Sequence, residues 1–326
     1  EDADGSQFDV TKKAIEETLS TGLFSSRGLN RMGWTHQTYA EFFAARYLEK
    51  HKMTLTQIKS LFIHPGDNEA RLVPQLHETA AWLASMSPEV FKEILRVNPE
   101  VLLRSDVATA EIKDRVALVE NLLKVYDEKG CRAPDMNNQR RYKKLDHPGL
   151  KDQPSLEDLL RPYICDSTKD SVVRSEAIKI AEACGLRTFQ DNLATIALDK
   201  KEPLEIRKRA IYAIKQIADV RTKVKLKPLV TGDTVEDSND DLKGCSLMAL
   251  WPAHIKAKEL FTAITSIKQR NDIGAYWWFL SHELVPKLKP SDLPVALKWV
   301  EQQVSLQDLT YCFKELMDAI ILKAWE

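Results

Sequence analysis

Along most of this chain apolar residues return every three to four positions, the spacing of helices that bury one face. Tyr39, Phe42, Phe43 and Tyr47 follow this rule and predict a helix over about 38–52 with a wide aromatic side. Thr38 followed by Glu41 reads as a capping box at its start, each side chain satisfying an orphan amide of the other. Upstream, the spacing predicts a helix over 10–20. Residues 21–34 then read as two short strands around a Gly28/Asn30 turn. Downstream come helices near 55–61 and 70–85, the second carrying Leu72, Leu76, Ala80 and Leu83 on one face. Ser87-Pro88 and Asn98-Pro99 each set a capping residue before a proline at the first helical position, so each starts a helix. Another helix is predicted over 110–128.

The period fails at 129–154, where Gly130, Pro134, Asn137, Asn138, Pro148, Gly149 and Pro154 crowd together. This reads as an extended irregular loop. From 155 onward the chain repeats itself. Asp170–Ile178 matches Pro203–Ile211 at an offset of 33, and Leu204–Ile211 returns more weakly at 240–247, offset 36. Each copy carries the pattern aliphatic-basic-x-x-small-aliphatic, as in Val173-Arg174-x-x-Ala177-Ile178, and each is preceded by another helix. Repeats of this length are paired helices that bury their apolar sides only by stacking. Helices over 257–267, 274–288, 293–304 and 306–324 continue the series.

Composition sharpens this picture. Only 11 of 326 residues are glycine, roughly half the usual ~7%, which suits an all-α fold. The formal net charge of −1 gives no global case for nucleic acid or an anionic membrane. Cys131, Cys165, Cys184, Cys245 and Cys312 are widely spaced with no CxxC pair, which fits a reducing compartment. No apolar run approaches the ~20 residues of a membrane span, and the polar N-terminus is unlike a signal peptide. A cytoplasmic protein is the expectation. The chain begins without Met, and the expectation is a piece of a longer polypeptide.

The stretch Trp34-x-His36-x-Thr38-x-x-Glu41-Phe42-x-Ala44-Ala45-x-x-Leu48 resembles the end of the winged-helix domain in NACHT-type STAND nucleotide switches. The strand pair over 21–34 would be the wing. The array from 155 resembles HEAT repeats. Together they imply an all-α HEAT-like superhelix carrying a small winged-helix remnant with a β-hairpin. The division expected is 1–50 for the winged-helix end, 51–128 for a helical linker or first repeats, 129–154 for an irregular basic loop and 155–326 for the repeats. The sequence holds no GxxxxGK[ST] phosphate loop and no GxSxG, HExxH or EF-hand pattern. The expectation is a non-catalytic fragment with no cofactor or metal of its own. The parent would bind ATP or ADP with Mg and oligomerise on activation. By resemblance, His36 contacts the terminal phosphate of ADP in the intact parent. Read from its residues alone, it satisfies a polar atom where strand becomes helix.

Two basic clusters are candidates for a partner. Over 129–151 seven cations, Arg140 and Arg141 among them, face two acids; over 200–227 ten, including Arg207, Lys208 and Arg209, face three. Each reads either as a solvated face or as a stripe gripping an acidic partner or a nucleic-acid backbone. The acidic run from Asp233 to Asp241 argues against simple DNA binding. In Tyr276–Leu280, Trp277 and Trp278 point ~100° apart on a helix, so one packs and the other is a candidate anchor; Trp277 is taken as the candidate. Three functions remain open: the trigger-sensing arm of an antiviral or signalling ATPase, with a protein trigger; a HEAT-repeat scaffold or adaptor; and a helical-repeat nucleic-acid-binding protein.

Overall fold

The computed structural model describes residues 9–64, 66–67, 71–103, 111–129, 142, 145, 154–231, 237, 240–266, 274–304 and 311–326. They are mostly helical, with one two-stranded antiparallel sheet. The chain divides into two compact units, Glu1–Leu122 and Leu123–Glu326.

In the first unit, Thr11 caps helix α1 (Lys12–Leu19) by accepting a bond from the Ala14 amide at 3.2 Å. No residue of α1 is buried. Strands β1 (Phe24–Ser26) and β2 (Met32–Trp34) pair with Phe24 opposite Trp34 and Ser26 opposite Met32. The turn between them uses positive φ at Gly28 (+115°) and Asn30 (+58°), the two residue types that tolerate it best. Phe24 stacks on Trp34 at 4.6 Å, and Trp34 on Phe43 at 5.3 Å, which ties the hairpin to the helix that follows.

That helix, α2 (Gln37–Lys50), begins earlier than its sequence suggests. Its N-cap is His36, and Thr38 lies inside the first turn, so Thr38 and Glu41 form no capping box. The reason is the hairpin. The Thr35 amide still donates to the Leu23 carbonyl at 2.8 Å, and the chain turns helical directly after that last cross-strand bond. The aromatic side is also less covered than expected: Ala45 is the one buried residue of α2, while Phe43 and Tyr47 are exposed. The capping box appears one helix later, where Thr54 and Gln57 start α3 (Leu55–Phe62).

Helix α4 (His77–Met86) packs on α2 and buries Thr79, Ala80, Ala81, Leu83 and Ala84. It starts later than 70 because Leu72 pairs with Ile63 in a short bridge and Pro74 opens a tight turn at Pro74–Leu76. Ser87 caps α5 (Pro88–Val97) as its sequence predicts. Asn98 precedes α6 (Pro99–Leu102) without capping it; its side chain instead accepts the Leu72 amide at 3.0 Å. Helix α7 (Ile112–Lys129) follows, and the division between the units falls within it.

In the second unit, α8 (Pro154–Cys165) lies beside α9 (Ser171–Ala183), and α10 (Gln190–Leu198) beside α11 (Leu204–Ile217). Short helices α12 (Val220–Val224) and α13 (Lys227–Thr231) lead to α14 (Asp241–Leu250). Then come α15 (Ala257–Ala263), α16 (Ala275–Trp278), α17 (Leu293–Val304) and α18 (Tyr311–Trp325). The three repeated segments are α9, α11 and α14. Each lies against the next, and α14 lies against α16.

The repeated basic position points inward. Arg174 is 1% exposed and Arg207 2%. Arg174 grips Glu202 through two bonds of 2.6 and 2.8 Å and reaches the Ile164 carbonyl at 3.5 Å. Arg207 donates to the Ala197 carbonyl at 3.0 Å. Ile164 and Ala197 each stand ten residues before their arginine, in the last turn of the preceding helix. A cation there meets carbonyls that have no helical partner and the negative end of the helix dipole. Lys243, the third copy, is also buried; it bonds Thr265 Oγ1 at 2.7 Å and lies 4.9 Å from the Tyr276 ring.

Around α14 the copies diverge. Asp237, fully buried, caps the helix by accepting from the amides of Asp241 and Leu242 at 2.8 and 2.9 Å. At Gly244 a Cβ would meet the Tyr276 nitrogen at 2.1 Å and the Ala275 carbonyl carbon at 2.4 Å. Asp241 bridges the neighbours, accepting from Lys208 at 2.8 Å and from the Ala275 amide at 2.7 Å. The N-terminus of α16 is therefore pinned directly onto α14.

Two stability predictions follow from these contacts. Arg174→Met leaves the Glu202 carboxylate without its partner and should cost about 3 kcal/mol, read as a fall in the urea midpoint with an unchanged m-value. Gly244→Ala should cost roughly 1–3 kcal/mol through overpacking against the α16 backbone, whereas exposed Lys200→Ala should stay within about 0.5 kcal/mol.

Candidate functional site

His36 sits at the junction of β2 and α2. Its imidazole is exposed, makes no capping bond, and touches Tyr39 edge-on at 5.8 Å. Among the described residues it bonds no backbone group, in contrast to the plain reading of its sequence position.

The basic triplet at 207–209 is not a surface stripe. Consecutive helical residues point ~100° apart, and two of the three turn inward. Arg207 is buried against the Ala197 carbonyl. Arg209, 7% exposed, forms an ion pair with Glu182, and burial brings its guanidinium down to about 10. Lys208 is held between Glu205 at 3.2 Å and Asp241 at 2.8 Å. Burial is the largest single influence and opposes its charge, but the bonds and charges of Asp241 and Glu205 together outweigh it and raise its pKa. The acidic residues expected in a loop after the triplet are likewise inside where they are described: Asp237, Asp240 and Asp241 are all buried. Arg140 and Arg141 lie outside the described residues.

The second unit instead opens a cleft of about 300 Å³ on the face shared by the repeated helices. Glu182 of α9 and Lys215 of α11 stand 33 residues apart, the offset of the first two copies. Tyr212 of α11 and Met248 of α14 stand 36 apart, the offset of the next two. The cleft is thus built from two repeat positions, each seen on successive helices. Gln216 on α11 adds an exposed amide, and Trp278 closes the far side.

Trp278 is 48% exposed, whereas Trp277 is partly covered. The candidate anchor is therefore Trp278 and not Trp277. Both rings lie near His282, with Trp277 tilted at 5.4 Å and Trp278 stacked face to face at 4.2 Å and 14°. After Trp278 the helix widens: the Leu284 amide reaches back five residues to the Phe279 carbonyl at 3.0 Å. Widened turns of this kind recur at functional sites, and this one brings His282 beside Trp278 and Glu283 into the cleft.

The ionic pattern inside the cleft is uneven. Glu182 is paired with Arg209, and Glu283 is bonded by Lys287. The Lys287 bond is the main reason the Glu283 carboxyl sits below its ordinary value. The Lys215 ammonium lies 3.9 Å from Glu283, an ion pair too long to be a hydrogen bond. Tyr212 and Cys245 bond each other behind the cleft, and burial pushes the Cys245 thiol up to about 12.

The signal that would have found this cleft was present in the repeat. Carrying the 33- and 36-residue offsets forward from Glu182 and Tyr212 marks Lys215 and Met248 as neighbours. The widened turn after Trp278 carried no comparable sequence mark. Among the described residues, no group of three His, Cys, Asp or Glu is arranged to hold a metal, and no helix is long and apolar enough to cross a membrane.

Glu283 allows a pH prediction. Its folded-state pKa is lowered, so its contribution to stability is complete above about pH 4.5 and is lost as the pH falls through the folded value. Glu283→Gln should remove that acid-side component, worth less than about 1 kcal/mol for a partly exposed pair. Urea midpoints of the two proteins should differ near neutrality and converge toward about pH 3.

No protein-family model, curated protein or solved structure matches the chain.

Proposed function

We propose that this chain is the regulatory and sensing arm of a STAND-type nucleotide switch. In this reading, the hairpin and α2 of the first unit face a nucleotide-binding segment, and a HEAT-like stack in the second unit binds a protein trigger. The chain does no chemistry itself; ATP or ADP with Mg binds to the parent polypeptide. The reading extends to a cytoplasmic defence or signalling protein that oligomerises once triggered.

The observation that carries it is the free imidazole of His36 at the N-terminus of a 14-residue helix. An imidazole so placed donates a hydrogen bond to an anion, and the helix dipole favours the same charge. The exposed Phe43 and Tyr47 on α2 and Val10 and Ile15 around α1 suit a segment that packs on further protein. The paired helices of the second unit, with their repeated buried arginines and a cleft on one repeated face, support the stack and its binding role. Inward-facing Arg207 and Arg209 weigh against a nucleic-acid-binding role for that triplet. For a trigger to flip such a switch, it must favour the open state by several kcal/mol.

The test is nucleotide retention by the full product of the reading frame. Wild type should co-purify with ADP, and His36→Ala should release it about tenfold faster or more, the loss of one charge-assisted bond. Stopped-flow release of a fluorescent ADP analogue measures this. A full-length protein that binds no nucleotide, or an unchanged release rate, rejects the reading.

A further inference from the structure

We infer that the cleft of the second unit binds an acidic segment of a partner protein, taking an Asp or Glu side chain at Lys215 and an apolar neighbour on Trp278. The inference rests on the trigger-binding reading above and gives the trigger a chemistry.

The argument is one of unused hydrogen-bonding capacity. An exposed tryptophan beside two carboxylates first suggests a site for a cation. The carboxylates, however, are already engaged, Glu182 by Arg209 and Glu283 by Lys287. One face of the Trp278 indole is also covered by His282 at 4.2 Å. An incoming ammonium would compete with two ion pairs already in place.

Donors are what the cleft has to spare. Among the described residues, Lys215 makes no hydrogen bond and has only its 3.9 Å contact with Glu283. The Gln216 amide, exposed, and the Trp278 indole N–H have no described partner either. Among the lining residues two carboxylates face one ammonium, but Arg209 and Lys287 pair those carboxylates from outside the lining, so the five charges together give 3 − 2 = +1. A carboxylate at Lys215 balances that charge and forms a charge-assisted bond. Gln216 and the indole can then donate to carbonyls of the same segment.

A nucleic-acid backbone fits less well. It presents phosphates in series and needs several free cations along a groove, whereas the described wall of this cleft has one ammonium without a hydrogen bond and two carboxylates. A protein segment offers a single carboxylate with an apolar side chain close by, which matches one lysine beside one exposed indole. Exposed aromatics are favoured anchors in such interfaces.

The experiment uses pools of nonapeptides capped at both ends, with Glu, Gln or Lys fixed at the centre and random flanks. They are passed over the immobilised chain, and retained peptides are quantified by mass spectrometry and then titrated by calorimetry. The Glu pool should be retained about tenfold over the Gln pool, and the Lys pool least. Lys215→Met should bring the selected Glu peptides down to the Gln level, with the thermal midpoint unchanged. Trp278→Ala should weaken Glu and Gln peptides by the same factor. Equal retention of the three pools, preference for Lys, retention of none up to about 1 mM, or binding confined to an oligothymidylate control overturns the inference. The readout needs no nucleotide, so its failure leaves the ADP result standing, and a failed ADP test leaves the peptide result interpretable.

Discussion

The second unit depends on cations buried between paired helices. Arg174 and Arg207 are almost completely buried, and each reaches a carbonyl in the last turn of the preceding helix. Burying a guanidinium without partners would be prohibitive. Here the carbonyls and the dipole of the preceding helix supply partners in a fixed geometry. The bond can form only when the two helices of a pair are correctly registered. The same contact therefore stabilises the pair and rejects slipped arrangements of an otherwise interchangeable apolar surface.

Registration in turn makes the cleft. With α9, α11 and α14 held in step, side chains 33 or 36 residues apart line up on one face. Divergence at those positions is what creates chemistry. Glu182 becomes Lys215 in the next copy, and Tyr212 becomes Met248 in the copy after. The inward basic position stays cationic in all three copies, while the face positions vary freely. Such a division lets a binding surface change without loss of the fold.

Much of this was legible in sequence. The 33- and 36-residue offsets place all three repeated helices, and Ser87-Pro88 marks its helix start correctly. What the sequence hid was set by tertiary contacts. Thr38 and Glu41 have the spacing of a capping box, but hairpin pairing through Thr35 and Leu23 starts the helix at Gln37. Asn98 has the chemistry of a cap, yet its side chain serves Leu72, 26 residues away. Composition suggested a solvated stripe at Arg207, Lys208 and Arg209, although the angular argument that separates Trp277 from Trp278 applies equally to three consecutive cations. Which of two consecutive indoles is exposed has no local residue signature; Trp278 is the exposed one.

Gly244 gives the array a direction. The first two copies carry Ser175 and Lys208 at that position, and the third carries hydrogen alone, with the start of α16 lodged against it. Neither earlier copy can stand in its place, because either side chain would occupy the space of the Ala275–Tyr276 backbone. A copied module spliced between α14 and α16 would find no seat, because Gly244 leaves room only for the start of α16. The final helices are thus tied to one particular predecessor.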